Sequence, residues 1–209
     1  MKFVSLVSSG IDSPVATFLL SKHAEEIILV HADNRPFTDE REIEKFVLLA
    51  RHLQKQVSSK LTAYLVPHGK TLEAYKQLCD HKFTCVVCKR MMLRYAEAIA
   101  KKEHADAIIM GDSLGQVASQ TLQNIRVVEQ AVTLPILRPL IGFDKEDTIQ
   151  IAKKIGTFEL SISPAEGCRA VPIRPSTRAR LEQILAEEQK LPLNDLVRDA
   201  VMGATILKI

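Results

Sequence analysis

Phe3-Val4-Ser5-Leu6-Val7-Ser8-Ser9-Gly10-Ile11-Asp12-Ser13-Pro14 passes from a short apolar run into a turn rich in serine and glycine. The run Phe3 to Val7 reads as a strand buried on both faces. Pro14 suits the first turn of a helix, where its missing N–H costs nothing. A strand, a Gly/Ser turn and a helix in that order place outward-facing backbone N–H groups beside the positive end of a helix. Together these make an anion site suited to phosphate. The turn has neither the GxxxxGKS/T form nor the GxGxxG form.

Further along, Ile27 to Val30, Ala63 to Val66 and Ala107 to Met110 repeat the short apolar run, and Val132 to Leu137 is a weaker fifth strand interrupted by Pro135. Helical patterns lie between them. Ile43, Phe46, Val47, Ala50, Leu53 and Val57 share one face of a helix that starts at Asp39, with Asp39 and Glu42 as its capping pair. A second helix is predicted from about Lys89 to Lys102 and a third from Asp144 to about Ile155, stopped by Gly156. A fourth is predicted from Ser176, as N-cap, to about Gln189. The alternation predicts an α/β fold, a doubly wound, mostly parallel sheet with helices on both faces. Residues 1–190 form its domain, and residues 191–209 are an extension that docks as a helix or meets a second subunit.

Composition excludes other classes. The 209 residues are 46% hydrophobic and 25% charged with a net charge of +3, which is ordinary for a globular protein. Four cysteines are too few for a disulfide scaffold. No apolar run approaches the ~20 residues of a membrane span, and the N-terminus is a poor signal peptide. A cytoplasmic protein with no membrane partner is expected.

After the fourth strand comes Gly111-Asp112-Ser113-Leu114-Gly115-Gln116-Val117-Ala118-Ser119-Gln120-Thr121, another row of small polar residues at a strand's carboxyl end. Ligand contacts of a doubly wound fold are made there. Cys85-Val86-Val87-Cys88 precedes the second helix, and Cys168 lies in the loop Glu166-Gly167-Cys168-Arg169. By itself the CxxC pair reads as a redox dithiol, half a zinc site or part of an iron–sulfur site. His68 or His81 can complete a zinc site, and Cys79 reads as a buried helix residue. Arg169, Arg174, Arg178 and Arg180 form one basic group with no acid among them, and Lys89, Arg90, Arg94, Lys101 and Lys102 form another.

The first turn resembles the SGGxDS loop of the PP-loop ATP pyrophosphatases, with Ser9 in the place of a glycine. GDSLGQVASQTLQN, with KRMMLR upstream and PILRPLIGFDKEDTIQIAKKIGT downstream, resembles the tRNA 4-thiouridine synthases, also called thiamine-biosynthesis sulfurtransferases. The resemblance runs from about Phe3 to about Glu188. It implies ATP-dependent adenylation of a uridine carbonyl oxygen in tRNA and its replacement by sulfur. It places Leu6, Val7, Ser8, Gly10, Asp12 and Ser13 on the pyrophosphate loop and its strand, and His31 and Ala32 at the adenosine. Arg90, Gly111 and Gln120 match further ATP-contacting positions. Mg²⁺ is implied with ATP, with Asp12 as an indirect ligand.

The same resemblance makes Cys168 the catalytic cysteine. Two sulfur routes follow from it. In one, Cys85, Cys88 and Cys168 hold a 4Fe–4S cluster with one iron open to sulfide. In the other, Cys168 works through a persulfide and a disulfide to Cys85 or Cys88. Zinc or a structural role for the cysteines stays open beside both. The family's RNA-binding THUMP region and rhodanese domain are expected to be absent. Weak binding of tRNA, or help from a separate RNA-binding subunit or a homodimer, is therefore expected, together with an external sulfur donor. Rival readings are thiolation or desulfurisation of a small molecule, and a non-catalytic nucleotide- or cluster-binding subunit.

Overall fold

The computed structural model describes residues 1–209. Six strands form one sheet: β1 (Lys2–Leu6), β2 (Glu26–Asp33), β3 (Lys60–Pro67), β4 (Ala107–Ile109), β5 (Ile136–Leu137) and β6 (Thr205–Leu207). Their order is β5-β4-β1-β2-β3-β6. All neighbours are parallel except β6, which runs antiparallel to β3. The helices are α1 (Asp12–Ser21), α2 (Glu40–Gln56), α3 (Gly69–Leu78), α4 (Thr84–Glu103), α5 (Leu122–Glu129), α6 (Lys145–Lys154), α7 (Phe158–Ile162), α8 (Leu181–Glu188) and α9 (Leu193–Met202). None is long and apolar enough to cross a membrane.

The sheet is wound on both faces, as the alternation predicts. Successive strand residues point to opposite faces, so each strand feeds two cores. Phe3, Ile27 and Leu29 meet Val15 of α1, Phe46 and Leu53 of α2, and Ala152 of α6. Val4, Ile28 and Val30 meet Tyr75 of α3, Met91 and Tyr95 of α4, Val128 of α5 and Ile184 of α8. This double burial is why the strands read as unbroken apolar runs.

Several boundaries differ from the expected ones. α4 begins at Thr84, so Cys85 and Cys88 lie in its opening turns rather than ahead of it. α8 begins at Leu181, and Ser176 is not its N-cap. Ser176 is held in an irregular loop, its N–H donating to the Lys82 carbonyl (2.9 Å) and its own carbonyl accepting from Asn124 Nδ2 (2.8 Å). Asp39 precedes α2 without a side-chain cap. Its carboxylate takes Arg41 Nε (2.6 Å), while Glu42 is engaged by the Ser9 hydroxyl. Residues 191–209 supply α9, which packs on α4 and β3, and then β6.

Glu97 on α4 fastens the turn leading to β5. It accepts from the Thr133 N–H (2.6 Å), the Thr133 hydroxyl (2.8 Å), the Leu134 N–H (3.1 Å) and Lys101 (3.0 Å). Burial raises its pKa, but these donors outweigh burial and hold it at about 2. The unfolded chain therefore binds more protons between the usual 4.5 and about 2. The stabilisation is full above that window and is lost as pH falls through it. Melting curves recorded from pH 7 to pH 2 are expected to show a smaller acid-side fall for Glu97→Gln than for the parent protein.

Candidate active site

The sheet order sets the site. β1 pairs with β2 on one side and β4 on the other, so the chain reverses direction across the sheet at β1. In such folds ligands bind outside the carboxyl ends of the strands at this switch point. A crevice of about 300 Å³ opens there, walled by the turn after β1, the end of β2, the residues after β4 and one face of α4. A wider hollow of about 650 Å³ lies between α4, α8 and the start of α9, but its charged groups are already paired, Arg94 with Glu188 and Asp195 with Arg198.

Hydrogen bonds fix the first turn. The Ser8 N–H donates to Ser13 Oγ (2.8 Å), the two hydroxyls lie 3.1 Å apart, and the Gly10 N–H reaches Ser8 Oγ (3.3 Å). Ser9 is buried and donates to Glu42 at the start of α2, so its side chain leans away from the turn onto a neighbouring helix. Asp12 Oδ1 accepts from Lys145 of α6 (2.6 Å). Leu6, Val7, Ser8, Gly10, Asp12 and Ser13 all line the crevice.

His31 and Ala32 line it from β2. The His31 Nδ1–H donates to the Val7 carbonyl (2.8 Å), and its ring stacks on Phe46 at 4.5 Å. Burial lowers its pKa against the pull of that carbonyl and of Glu42 and Asp33, so the ring is neutral at pH 7. It offers a flat, uncharged surface.

Gly111 and Gln120 line the third wall. Between them Asp112 is buried and accepts from Lys89 Nζ (2.7 Å), Arg138 Nε (3.3 Å) and Gln120 Nε2 (3.4 Å). Burial raises its pKa, but Lys89 and Arg138 overcome that and keep it a carboxylate. Gln120 Oε1 and Asn34 Oδ1 are buried acceptors without a partner, and both residues line the crevice. An unpaired buried acceptor costs about 1–3 kcal/mol, so a ligand donor at these atoms is well matched.

Arg90 corrects the expectation. It does not line the crevice and cannot pair with a phosphate there. Its side chain is 1% exposed on the opposite flank of α4, with Nε and NH2 on Glu188 (2.8 and 2.9 Å) and NH1 on the Val127 carbonyl. Lys89 and Met92, three residues apart on α4, face the crevice instead. Sequence reasoning also missed Asn34, Glu42, Asp112, Arg138 and Lys145 as site residues. Asp112, Arg138 and Lys145 stood inside the quoted blocks, and that was their only signal.

All four cysteines are free thiols. Cys79 stands apart, its Sγ 3.6 Å from the Glu187 carbonyl. Cys85 and Cys88 lie on α4 within electrostatic reach of Cys168. Burial first, and then Cys168, raise both their pKa values. Cys88 Sγ also lies 3.2 Å from His68 Nε2. Cys168 is raised by burial and by Glu42, and lowered by the Ala170 N–H. Its loop is pinned to the β2–α2 connection, the Arg169 N–H donating to the Phe37 carbonyl (2.9 Å) and its guanidinium to the Pro36 carbonyl. No group of three His, Cys, Asp or Glu side chains stands at metal-binding spacing. As placed, the cysteines do not form the site of a single metal ion such as zinc.

The family described as "Thiamine biosynthesis protein (ThiI)" matches residues 1–193. A probable tRNA sulfurtransferase of Methanosarcina mazei is 43% identical over 209 residues, covering 100% of this chain and 52% of that protein. One from Acetivibrio thermocellus is 41% identical, covering 100% and 53%. A crystal structure described as a 4-thiouridine synthetase–RNA complex with bound ATP superposes with a TM-score of 0.94 at 36% identity, over 99% of this chain and 54% of that one. The NMN synthetase of Francisella tularensis shares the fold, with a TM-score of 0.58 at 15% identity over 96% of this chain and 83% of that one. The chain spans about half the length of the curated relatives it matches.

Proposed function

The chain belongs to the ThiI family, and from that premise we propose that it is an ATP-dependent tRNA sulfurtransferase of the 4-thiouridine type. The observation that carries the reading is the crevice itself. A hydrogen-bonded Ser8–Ser13 turn, a neutral aromatic His31 and the buried Asp112 with its cations converge at the switch point of the sheet. The similarity to the ATP-bound 4-thiouridine synthetase supports it.

The chemistry divides into two displacements. In the first, the uridine O4 attacks the α-phosphorus of ATP and pyrophosphate leaves. The backbone N–H groups of the turn and the positive end of α1 receive the negative charge that develops on the leaving group. Lys89 and Lys145 add cations at either side, each already oriented by a carboxylate. His31 gives the adenine a face to lie against, and the unpaired Gln120 and Asn34 oxygens accept its N–H groups. Mg²⁺ fits beside Asp12, whose Oδ1 alone is taken by protein, and would neutralise phosphate charge when bound.

In the second displacement, sulfur attacks the activated C4 and AMP leaves with the former uridine oxygen. No step is routed through a cluster. We assign sulfur delivery to a Cys168 persulfide loaded by an external persulfide donor. Its terminal sulfur bonds to C4. A thiolate of Cys85 or Cys88 then attacks the Cys168 sulfur, the S–S bond breaks, and the thiouridine sulfur departs with the electron pair. The resulting disulfide is reset by an external dithiol, which is oxidised.

Cys168→Ala is expected to abolish thiouridine formation while ATP-dependent pyrophosphate release with tRNA continues. Radiolabelled ATP and nucleoside analysis of the tRNA read the two steps separately. Pyrophosphate release with free nucleosides but not with tRNA would favour the small-molecule reading. No pyrophosphate release with any acceptor, from a folded and ATP-binding protein, would favour the non-catalytic subunit. A brown, iron-containing protein from anaerobic purification would replace the persulfide route.

A further inference from the structure

The structure divides the basic residues into two sets that look alike in sequence. Most of those on α4 are already paired: Lys89 with Asp112 inside the crevice, Arg90 and Arg94 with Glu188, and Lys101 with Glu97, which leaves only Lys102 without an ion pair. Arg174, Arg178 and Arg180 are exposed and carry no ion pair. Arg126, on the exposed face of α5, is likewise unpaired, and it shares a surface hollow with Arg180.

The loop that carries these arginines is tied down at three places, each on a segment that leads into the crevice. Arg169 is pinned to Phe37 beside the end of β2. Ser176 is pinned to Lys82 at the approach to α4. Thr121 Oγ1 donates to the Thr177 carbonyl (2.7 Å), and the Ala179 N–H donates to Asn124 Oδ1 (2.9 Å), immediately after Gln120. Between the first two anchors the chain rises clear of the surface. Ile173 is 100% exposed and Val171 is also exposed. A fixed loop that presents an apolar tip among unneutralised cations, with Cys168 at its root, has the makings of a recognition surface.

We infer that this loop and Arg126 form the rim that grips the RNA strand around the target nucleotide. The guanidinium groups take the flanking phosphates in bidentate fashion, and Ile173 packs on an exposed base. The inference rests on the proposed function for its choice of RNA. Because the loop is already held at both ends, little ordering entropy is lost when the strand arrives.

The test is a salt titration of tRNA affinity, using the 209-residue chain and an unmodified transcript. For R126Q/R174Q/R178Q/R180Q the slope of log affinity against log salt is expected to be shallower by about 2–3, at ~0.7 per lost contact. Affinity at low salt is expected to fall about 100-fold, with ATP affinity and melting temperature unchanged. Ile173→Ser is expected to weaken binding several-fold without changing the slope, because it removes no charge. R51Q/R198Q, which removes two exposed arginines outside the loop, is expected to lower the slope little. A quadruple variant that keeps the parent's affinity and slope overturns the rim while leaving tRNA thiolation standing. A parent protein that binds no tRNA, yet releases pyrophosphate with a free nucleoside, overturns the tRNA reading and the rim together.

Discussion

Glu188→Ala is expected to lose about 3–5 kcal/mol of folding stability, the cost of leaving a buried charge unpaired. Glu188 ends α8 and is 3% exposed. Both its oxygens accept from Arg90 (2.8 and 2.9 Å) and both accept from Arg94 (2.7 and 2.9 Å). Burial raises its pKa, but the two guanidinium groups overcome that and keep it ionised. Without the carboxylate, Arg90, whose side chain is 1% exposed, retains only the Val127 carbonyl. A domain of this size is stable by only about 5–15 kcal/mol, so the loss is a large share of the whole. Urea midpoints measure it. Arg90→Met together with Glu188→Leu is expected to recover most of the loss, since well-packed apolar pairs replace buried ion pairs at little cost. A Glu188→Ala loss below 1 kcal/mol would show that Arg90 finds water or another acceptor.

The second large effect falls on the chemistry. Gly111→Ala is expected to lower kcat/KM for ATP by about 100-fold, the order of magnitude for an ångström-scale misplacement at a reacting centre. A Cβ at Gly111 would stand 2.7 Å from Ser13 N and Cα and 2.9 Å from the Asp12 carbonyl carbon. These are backbone atoms of the first turn of α1, and they cannot rotate away as a side chain would. The methyl group must push the Ser8–Ser13 turn off the end of β4, and the turn's N–H groups shift with it. Pyrophosphate release and nucleotide affinity should both fall. Gly142→Ala, where no atom lies within 4 Å of the added carbon, is the matched control and should behave as the parent. Equal ATP kinetics for the two variants would show that the turn tolerates displacement.

The parts that were legible and the parts that were not divide along physical lines. Strands buried on both faces declare themselves by composition, and so β1 to β4 were visible in outline. The turn at Ser8–Ser13 and the polar row from Gly111 were visible because glycine and short hydroxyl side chains mark close approach. Side-chain direction on α4 was harder. Lys89 and Arg90 are adjacent, yet one helical step sends Lys89 to Asp112 in the crevice and Arg90 to Glu188 on the far flank. Choosing between them needs the partner, and Glu188 lies 98 residues away in the chain. Ser176 has the residue type of an N-cap, but Asn124 and Lys82 claim its backbone first. β6 is three residues long with two of them exposed, so no apolar run announces it.

That short strand has a consequence for how the protein behaves at high concentration. β3 is eight residues long and largely buried, and on its outer side Ala63, Tyr64 and Leu65 pair with Leu207, Ile206 and Thr205. Uncovered, this edge would present backbone donors and acceptors to any passing chain, the usual seed of intermolecular sheet growth. Thr205–Leu207 covers the middle of that edge and is itself too brief to template another strand well. A stretch with no evident role in catalysis thus insulates the fold against self-association into fibres.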